Sequence, residues 1–219
     1  MMEVIFATFN PGKLREGAAI MAPAGIHLIG PAEAGVAALP EETGETFLDN
    51  AVLKASHCLE ATGRPSLGDD SGLEVVALGG EPGVRSARYA GPAHDAVANT
   101  ARLLAALEGV TDRRARFVCT AVLAFRPGTL PFDAARVLPD GVARADGHPL
   151  APPGATVLVA TGEVRGTILH DQRGSGGFGY DPVFQHEDLG TFAEIPDERK
   201  NELSHRGKAF RLLAAALRR

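Results

Sequence analysis

Short β-rich runs alternate with helical patterns along this 219-residue chain. Val4 to Ala7, Ile26 to Ile29 and Leu73 to Leu78 are predicted strands, and Phe117 to Phe125 is a longer apolar strand that we expect near the centre of a sheet. The segments between them carry apolar residues at helical spacing; the predicted helices are Leu14 to Met21, a helix that follows Thr46, and His94 to Glu108. Strands that alternate with helices predict an α/β fold.

Residues 129 to 170 have a different pattern. Proline and glycine interrupt three short β-like runs there, at Phe132 to Leu138, Thr156 to Ala160 and Glu163 to Leu169. We interpret this part as a hairpin-rich second lobe, approximately 129 to 190, within a single domain that spans residues 1 to 219.

The composition is that of a globular protein with a full core, because 45% of the residues are hydrophobic and 22% are charged. A net charge of -5 argues against a nucleic-acid partner and indicates a small ligand, although a local basic pocket could still bind a small phosphate ester. Cys58 and Cys119 lie far apart in apolar surroundings and predict buried free thiols, and the seven histidines lack zinc-ligand spacing. With no apolar run of membrane length and no leader-like start, we expect no membrane partner and a cytoplasmic protein.

The segment Gly68 to Gly72 reads Gly-Asp-Asp-Ser-Gly and follows a short apolar run. Adjacent carboxylates at a strand end repel one another unless a proton or a cation lies between them. Their hard oxygens suit Mg²⁺, which commonly accompanies phosphates. We interpret the segment as a turn that holds a cation. The alternative is an ordinary polar turn, because Asp, Ser and Gly also favour turns for conformational reasons.

The segment between the first strand and the first helix predicts phosphate binding. Asn10 is a predicted N-cap with Pro11 at the first helical position, and a helix N-terminus favours anions through its free N–H groups and its dipole. Lys13 adds a positive charge. This is not a Walker loop, because Ala7 and Leu14 stand where such a loop needs glycine and Ser or Thr. The alternative is a capped helix with a solvated lysine.

An acidic segment, Glu41 to Glu45, precedes the second helix, which Thr46 is predicted to cap. Thr46, Asn50 and Lys54 are spaced by four residues and therefore share one polar face of this helix. Acids in front of a helix ordinarily only complement its dipole. A nearby magnesium site would give them a second role.

Gly174 to Gly179 matches the dinucleotide-binding pattern G-x-G-x-x-G, but we reject that interpretation. We predict no helix after it, because Pro182 biases Asp181 toward extended geometry, and no strand-turn-helix unit lies nearby. A glycine loop that carries Phe178 and Tyr180 is better suited to the approach of a flat ligand. The alternative is a tight connection.

Basic residues lie at the predicted start of a C-terminal helix: Lys200, His205 and Arg206, with Ser204 as a natural N-cap. Positive charges in the first turn of a helix oppose its dipole. We therefore expect an anion or a hydrogen-bonding ligand beside His205 and Arg206.

Together, six motifs in order resemble the inosine/xanthosine triphosphate pyrophosphatase family, which hydrolyses non-standard purine nucleoside triphosphates. The resemblance covers nearly the whole chain. The motifs are Thr-x-Asn-x-x-Lys; Glu-Glu-Thr-Gly with Asn-Ala-x-x-Lys-Ala; Asp-Asp-Ser-Gly-Leu; Pro-Gly-x-x-Ser-Ala-Arg-Tyr; Gly-Gly-Phe-Gly-Tyr-Asp-Pro; and Lys-x-x-x-x-Ser-His-Arg-Gly.

The resemblance implies a mixed central sheet flanked by helices, a second lobe, a nucleotide cleft between the lobes, a homodimer and a requirement for Mg²⁺. It implies that Glu41 and Asp70 ligate the metal and that Asp70 activates the attacking water; Glu42 is an alternative ligand, and Asp69 is a second ligand or a structural support. The implied substrate-binding residues are Thr8, Phe9, Asn10, Pro11, Gly12, Lys13 and Lys54 for the triphosphate, Ser71, and Phe178, Gly179, Tyr180, Asp181, Lys200, His205 and Arg206 for the base.

The chain departs from the family pattern in length between Phe125 and Gly174, where Asp140 to Pro153 is the added loop. Two other functions could use the same residues: a magnesium-dependent phosphatase on small phosphate esters, and a non-catalytic nucleotide-binding regulator. The products separate the three functions, because only a pyrophosphatase releases pyrophosphate.

Overall fold

The computed structural model describes residues 1–133 and 135–218. Within this part, seven strands form one sheet in the order β2-β1-β3-β4-β6-β5, with β7 paired to β6. The strands are β1 (Met2–Phe6), β2 (Ile26–Ile29), β3 (Ser66–Val75), β4 (Arg114–Phe125), β5 (Val142–Arg144), β6 (Thr156–Ile168) and β7 (Phe184–His186). The α-helices are α1 (Pro11–Met21), α2 (Phe47–Thr62), α3 (Ala96–Ala106), α4 (Asp197–Leu203) and α5 (His205–Leu217).

The sheet is mixed. Strand β1 runs parallel to β2 and β3, whereas β6 runs antiparallel to β5 and β7. Strand β4 lies in the interior of the strand order, as its apolar sequence predicted. The predicted α/β fold is confirmed. None of the helices in the described ranges is long and apolar enough to cross a membrane.

The chain forms two compact units. The first comprises Met1–Asp70, Cys119–Gly162 and Arg206–Arg219, and the second comprises Ser71–Val118 and Glu163–His205. Of the range 129 to 190, the residues up to Gly162 belong to the first unit and those from Glu163 onward belong to the second.

In the first unit, β1 points alternate side chains into two apolar layers. Phe6 packs with Met21 of α1 and Phe210 of α5, and the rings of Phe6 and Phe210 meet edge to face with centroids 5.4 Å apart. Ile5 faces the opposite way and packs with Cys58 of α2. Helices α1 and α5 therefore cover one face of the sheet in this unit, and α2 covers the other.

The second unit has its own aromatic core. The ring centroid of Phe117 in β4 lies 4.5 Å from that of Phe184 in β7 and 5.9 Å from that of Phe192. Leu103 of α3 is fully buried in the same cluster. This core anchors α3 to the strands of the unit.

The local signals at the first two helices are confirmed. Asn10 caps α1 through Oδ1, which accepts hydrogen bonds from the N–H groups of Gly12 and Lys13, and Pro11 occupies the first helical position. Thr46 and Asp49 form the capping box at the start of α2. Both cysteines are buried free thiols, as predicted.

The Gly-Asp-Asp-Ser-Gly segment is not a turn. It lies in the interior of β3, which is continuous, so the predicted turn and the separate strand after it are wrong. Gly68 has another role there: a Cβ at this position would lie 2.2 Å from the carbonyl oxygen of Ala51 and 2.9 Å from the nitrogen of Ala55. The glycine permits the close approach of α2 to the strand.

Two further predictions of strands are wrong in detail. The described residues of Phe132 to Leu138 contain no strand. Thr156 to Ala160 and Glu163 to Leu169 are not two strands, because β6 runs through both without a break. A single glycine, Gly162, does not interrupt a strand that neighbouring strands hold in place.

The helix boundaries also differ. Lys200 belongs to the separate short helix α4, because Ser204 has an extended backbone (φ -62°, ψ 154°) that ends α4 before α5 begins. Helix α3 starts at Ala96 with Asp95 as its N-cap. His94 cannot belong to it, because its φ of 53° is left-handed.

Candidate active site

Asp69 and Asp70 are consecutive residues of β3, so their side chains leave the strand on opposite faces. On the face covered by α1 and α5, Asp69 contacts Lys13 and Arg206. On the face covered by α2, Asp70 contacts Asn50. The two carboxylates therefore contact different residues, while the charges of Lys13 and Lys54 act on both.

Asp69 is a buried centre of ion pairs. The Nζ atom of Lys13 lies 3.2 Å from each carboxylate oxygen, and Nε of Arg206 lies 3.1 Å from Oδ2. Burial by itself would raise the pKa of Asp69, but the charges of Lys13, Arg206 and Lys54 outweigh it and hold that pKa far below its usual value. Asp69 therefore stays ionised through the neutral range, which suits a structural support.

Arg206 is 2% exposed at the start of α5. Its NH1 atom lies 2.5 Å from Oε2 of Glu16, and its Nε atom contacts Asp69. Burial would lower the pKa of this guanidinium, but the carboxylates of Asp69 and Glu16 raise it. The sequence predicted an external anion or ligand to offset Arg206; the chain itself supplies the compensating charge.

Asp70 is 5% exposed and lies beside a lysine, a glutamate and an amide. Its Oδ2 accepts a hydrogen bond from Nδ2 of Asn50 at 2.9 Å. Burial and the charge of Glu42 raise the pKa of Asp70 to about 6, although the charge of Lys54 and the Asn50 hydrogen bond act in the opposite direction. A carboxyl with this pKa changes protonation close to neutral pH.

Lys54 is the buried cation of this cluster, with Nζ 2.5 Å from Oε1 of Glu42. Burial disfavours its charged form, but Asp69, Glu42 and Asp70 outweigh burial and raise its pKa. Glu42 is half-buried and already paired, whereas Glu41 is exposed.

The carboxylate oxygens of Asp70 are a ligand type that a divalent cation such as Mg²⁺ accepts. Across residues 1–133 and 135–218, no three His, Cys, Asp or Glu side chains converge to form a complete protein cage for a metal. Mg²⁺ commonly takes one or two carboxylates and completes its shell with waters and substrate phosphates. Burial is the main cause of the raised pKa of Asp70, and a cation beside a buried carboxylate stabilises its charged form.

The start of α1 presents an ammonium group and a capped turn. Oγ1 of Thr8 accepts a hydrogen bond from the N–H of Asn10 at 3.1 Å. The sequence predicted free N–H groups for a phosphate, but the side chain of Asn10 already accepts from those of Gly12 and Lys13. The attraction for an anion therefore comes from Lys13 and the helix dipole. Phe9, Asn10 and Pro11 are the exposed residues of this turn.

In the second unit, the glycine loop folds around the buried Asp181. Its Oδ2 accepts hydrogen bonds from the N–H of Phe178 at 2.7 Å and from Nζ of Lys200 at 2.8 Å. A Cβ on Gly177 would lie 2.2 Å from the same oxygen. Lys200 Nζ also lies 4.5 Å from the centroid of the Phe178 ring, and this phenylalanine is 39% exposed. A flat ligand could stack on an aromatic ring that an ammonium group supports.

The described residues after this loop form no helix until α4, which agrees with the rejection of a dinucleotide motif. Gly179 has a φ of 63°, the left-handed backbone that glycine adopts without strain. Tyr180 is buried, and its hydroxyl donates to the carbonyl oxygen of Ser86 at 2.8 Å, so the phenol fixes the loop.

Two more predicted residues, Ser71 and His205, are the first and last residues of the second unit in the sequence. The imidazole of His205 stacks on the ring of Phe117, with centroids 4.8 Å apart. Ser71 follows Asp70 in β3 and is half-buried.

Sequence reasoning missed the roles of Asn50 and Glu16 and did not settle the role of Asp69. The two cations that hold Asp69 are 56 and 137 positions away in the chain, so no local pattern indicates them. For Asn50 the sequence indicated only that it lies on the same helix face as Lys54.

A cavity of about 520 Å³ in the second unit contains none of the predicted site residues. Among the cations that line it, Arg116 pairs with Glu74 and Glu163 at 2.7 and 2.8 Å, and Arg114 pairs with Asp112 at 2.7 Å. These pairs neutralise both arginines, so the cavity is a poor candidate for a phosphate site.

Known proteins resemble this chain over nearly its full length. A dITP/XTP pyrophosphatase of Pectobacterium atrosepticum is 43% identical over 221 residues, covering 100% of this chain and 99% of that protein. A dITP/XTP pyrophosphatase of Thermus thermophilus is 46% identical, covering 98% of this chain and 91% of that protein.

Solved structures show the same relationship. The Ham1 protein of Staphylococcus aureus has a TM-score of 0.76 at 37% identity, covering 97% of this chain and 96% of that one. A HAM1 protein from Coxiella burnetii has a TM-score of 0.78 at 34% identity, covering 99% and 98%. The family model described as the Ham1 family matches residues 4–216, and with sequence and fold in agreement over nearly the full length, the chain belongs to the Ham1 family.

Proposed function

We propose that this protein hydrolyses non-standard purine nucleoside triphosphates, such as ITP, dITP and XTP, to the nucleoside monophosphate and pyrophosphate. Full-length similarity to proteins named dITP/XTP pyrophosphatase supports this substrate class. The observation that carries the chemistry is Asp70, a buried carboxyl whose pKa of about 6 lies near neutrality. Such a group is suited to accept a proton from water.

In this proposal, Asp70 accepts a proton from water as the water oxygen attacks the α-phosphorus. The bond from the α-phosphorus to the oxygen that bridges to the β-phosphate breaks, and that oxygen leaves with pyrophosphate. Mg²⁺, held by Asp70 and Glu41, would neutralise the phosphate oxygens and the pyrophosphate leaving group. Glu41 is the better candidate of the two glutamates, because Glu42 is already bound to Lys54.

Lys13, Lys54 and the N-terminus of α1 bind the triphosphate in this proposal, and the turn from Thr8 to Gly12 shapes its position. Lys13 is suited to this because its side chain is 20% exposed while it contacts Asp69. The ammonium group of Lys13 can therefore contact a phosphate while it stays paired with Asp69.

We place the base on the exposed ring of Phe178, supported by Lys200 and Asp181. Hypoxanthine and xanthine present a 6-oxo acceptor where adenine has an amino donor. Hydrogen-bond donors from His205 and backbone N–H groups would satisfy the 6-oxo acceptor and leave the amino donor of adenine unpaired. Arg206, which the sequence placed among these donors, is buried and already donates to Asp69 and Glu16. Ser71 contacts substrate beside Asp70.

The experiment that tests the function is a substrate panel with separate detection of pyrophosphate and orthophosphate. ITP, dITP and XTP should be hydrolysed with kcat/KM at least ~100-fold above ATP. GTP should also be poor, for a reason other than the 6-oxo group, which guanine shares. Chelation of Mg²⁺ should stop the reaction, and added Mg²⁺ should restore it. Orthophosphate release would favour a phosphatase, release of neither product a regulator, and equal ATP and ITP rates a general nucleotide pyrophosphatase.

Lys13→Ala tests the phosphate site. It should weaken triphosphate binding far more than nucleoside binding, because only the triphosphate carries the charge that this lysine meets. Arg15→Ala is the matched control, since it removes an exposed cation from the same helix. Equal losses for nucleoside and triphosphate would contradict the assignment.

The remaining features rest on the family resemblance: we propose a homodimer located in the cytoplasm. Light scattering coupled to gel filtration should give twice the mass of one chain. Fractionation of the source cells should place the protein with the cytoplasmic markers.

A further inference from the structure

Asn50 is a buried amide that joins two parts of the proposed site and has no role in the mechanism above. It lies in α2 and is 0% exposed. Its Nδ2 donates to Oδ2 of Asp70 at 2.9 Å, and its Oδ1 accepts from the N–H of Gly44 at 2.8 Å. One side chain thus connects the proposed base to the acidic segment, residues 41–45.

The partners of this amide determine its orientation. If its oxygen and nitrogen were exchanged, an NH₂ group would face the N–H of Gly44 and the amide oxygen would face the carboxylate of Asp70. Both contacts would be repulsive. The donor therefore points to Asp70 and the acceptor to Gly44.

Gly44 can come this close only because it has no side chain. A Cβ at this position would lie 2.5 Å from Cβ of Asp49 and 2.7 Å from Oδ1 of Asn50. Real side chains do not tolerate such distances. The glycine of the Glu-Glu-Thr-Gly motif thus lets the acidic segment lie against the start of α2.

We propose that Asn50 is a positioning residue for the reaction: it fixes the rotation of the Asp70 carboxylate and, through Gly44, holds the acidic segment beside it. The inference rests on the proposed role of Asp70 as the base. The last torsion of an aspartate side chain has a broad energy profile. A charge-assisted hydrogen bond from a buried, oriented donor is what can restrict it.

The first test is steady-state kinetics of Asn50→Ala with dITP and Mg²⁺. Loss of a group that orients a reacting carboxylate should lower kcat by ~10–100-fold. KM should change by less than about threefold, because Asn50 does not contact the substrate in this proposal.

Asn99→Ala is the matched control. Asn99 is a 4% exposed helical asparagine whose Nδ2 donates to the carbonyl oxygen of Ala87 at 2.8 Å and whose Oδ1 accepts from the N–H of Ala90 at 2.6 Å. Asn99→Ala therefore removes one donated and one accepted hydrogen bond, as Asn50→Ala does, but neither bond involves the proposed site. Its kcat should stay at the parent value while its melting temperature falls.

A second readout needs neither substrate nor metal. In metal-free protein, Asn50→Ala should lower the melting temperature more in the parent than in an Asp70→Asn background, because only the parent leaves a buried carboxylate without this donor. Asn99→Ala should cost the same in both backgrounds. Equal costs for Asn50→Ala in the two backgrounds would overturn the proposal.

Asn50→Asp keeps the size of the side chain and the acceptor for Gly44 but removes the donor to Asp70. If Asn50→Ala does not fold, Asn50→Asp serves as the test in its place. The kcat of Asn50→Asp should fall by at least as much as that expected for Asn50→Ala. A kcat within about twofold of the parent would overturn the positioning role. Failure of the proposed function is distinguishable from this, because the parent protein itself would then release no pyrophosphate from dITP.

Discussion

Asp69 and Asp70 show how two neighbouring, chemically identical residues acquire opposite properties from a strand. Each faces a different helix layer, so Asp69 contacts Lys13 and Arg206, whereas Asp70 is buried beside both Lys54 and Glu42. The pKa of the first is lowered and that of the second is raised. Asp69 is therefore suited to a structural role, and Asp70 is suited to accept a proton.

Asp70→Asn should abolish most activity and stabilise the metal-free protein. Removal of the base should lower turnover by at least ~100-fold. The folded-state pKa of about 6 lies above the ordinary value of 3.8, so this carboxyl favours folding below 3.8 and that contribution is lost as pH rises through 6. Above that pH the variant should unfold with up to about 3 kcal/mol more free energy than the parent.

Urea denaturation of both proteins without metal, across a pH series, measures this difference. The gain should shrink toward zero as the medium becomes acidic. Near-normal pyrophosphate release by Asp70→Asn would show that the catalytic assignment is wrong.

Asp69→Asn should have the opposite effect on stability. It leaves Lys13 and Arg206 without their shared carboxylate, and removal of one partner from a buried ion pair typically costs about 3–5 kcal/mol. Because the folded pKa of Asp69 is lowered, its contribution is present above the ordinary pKa and is lost as pH falls through the folded value. The same pH series should therefore show the loss at neutral pH, and an unchanged midpoint would refute the support role.

At the scale of helices and strands, the sequence predicted the elements whose causes are local. Asn10 and Pro11 start α1 through their own backbone and side-chain chemistry, and the Thr46 capping box starts α2. The continuity of β3 could not be predicted, because Gly68 serves the approach of α2 rather than a turn. Only the folded chain reveals that contact.

The residues of the candidate site also divide into those that a local motif indicates and those whose role depends on distant contacts. Lys13 and Asp70 carry recognisable chemistry within short motifs, so sequence reasoning selected them for the phosphate and the base. The pairing of Arg206 with Asp69 and Glu16 joins distant parts of the chain, and an external anion was expected in its place. Long-range ion pairs leave no periodic pattern in a sequence.

Arg113 gives the clearest test of element packing in the second unit. Its guanidinium donates to the carbonyl oxygens of Leu107, Ile168 and Leu169 at 2.8, 2.7 and 2.8 Å, and so joins the end of α3 to the end of β6. Arg113→Met should lower the free energy of unfolding by about 2–4 kcal/mol, because buried acceptors lose their donor.

The neighbouring exposed residue supplies the control. Arg114→Ala removes a surface pair with Asp112 and should change the free energy of unfolding by less than about 0.5 kcal/mol. Chemical denaturation measures both variants. Equal effects at the two positions would mean that the carbonyl contacts of Arg113 contribute little.

At the scale of the whole molecule, the two compact units carry different residues of the proposal. The proposed base and phosphate-binding cations belong to the first unit, whereas the aromatic ring proposed to stack on the purine belongs to the second. Each unit has its own core, so variants in the second unit can change substrate recognition while the Asp70 cluster keeps its own contacts. This predicts that stacking and proton transfer can be altered separately.

Phe178→Ala is the variant that separates them. Its ring is 39% exposed, so its removal should change the melting temperature little. Stacking of a base on an aromatic side chain contributes about 1–3 kcal/mol whichever base is bound, so kcat/KM should fall by roughly 10-fold or more for ITP, XTP and ATP alike. The ratio of ITP to ATP efficiency should survive, because discrimination at position 6 depends on hydrogen-bond polarity.

The exposed Val97 of the same unit provides the control, and Val97→Ala should leave all three efficiencies at the parent values. Steady-state kinetics with the three triphosphates measures the result. If the efficiencies remained at parent values in Phe178→Ala, the base would lie elsewhere. If only the ITP to ATP ratio collapsed, the ring would act in selection rather than as a platform. A uniform loss with an intact ratio is the outcome expected of a stacking surface, because every purine offers the same flat face to the ring.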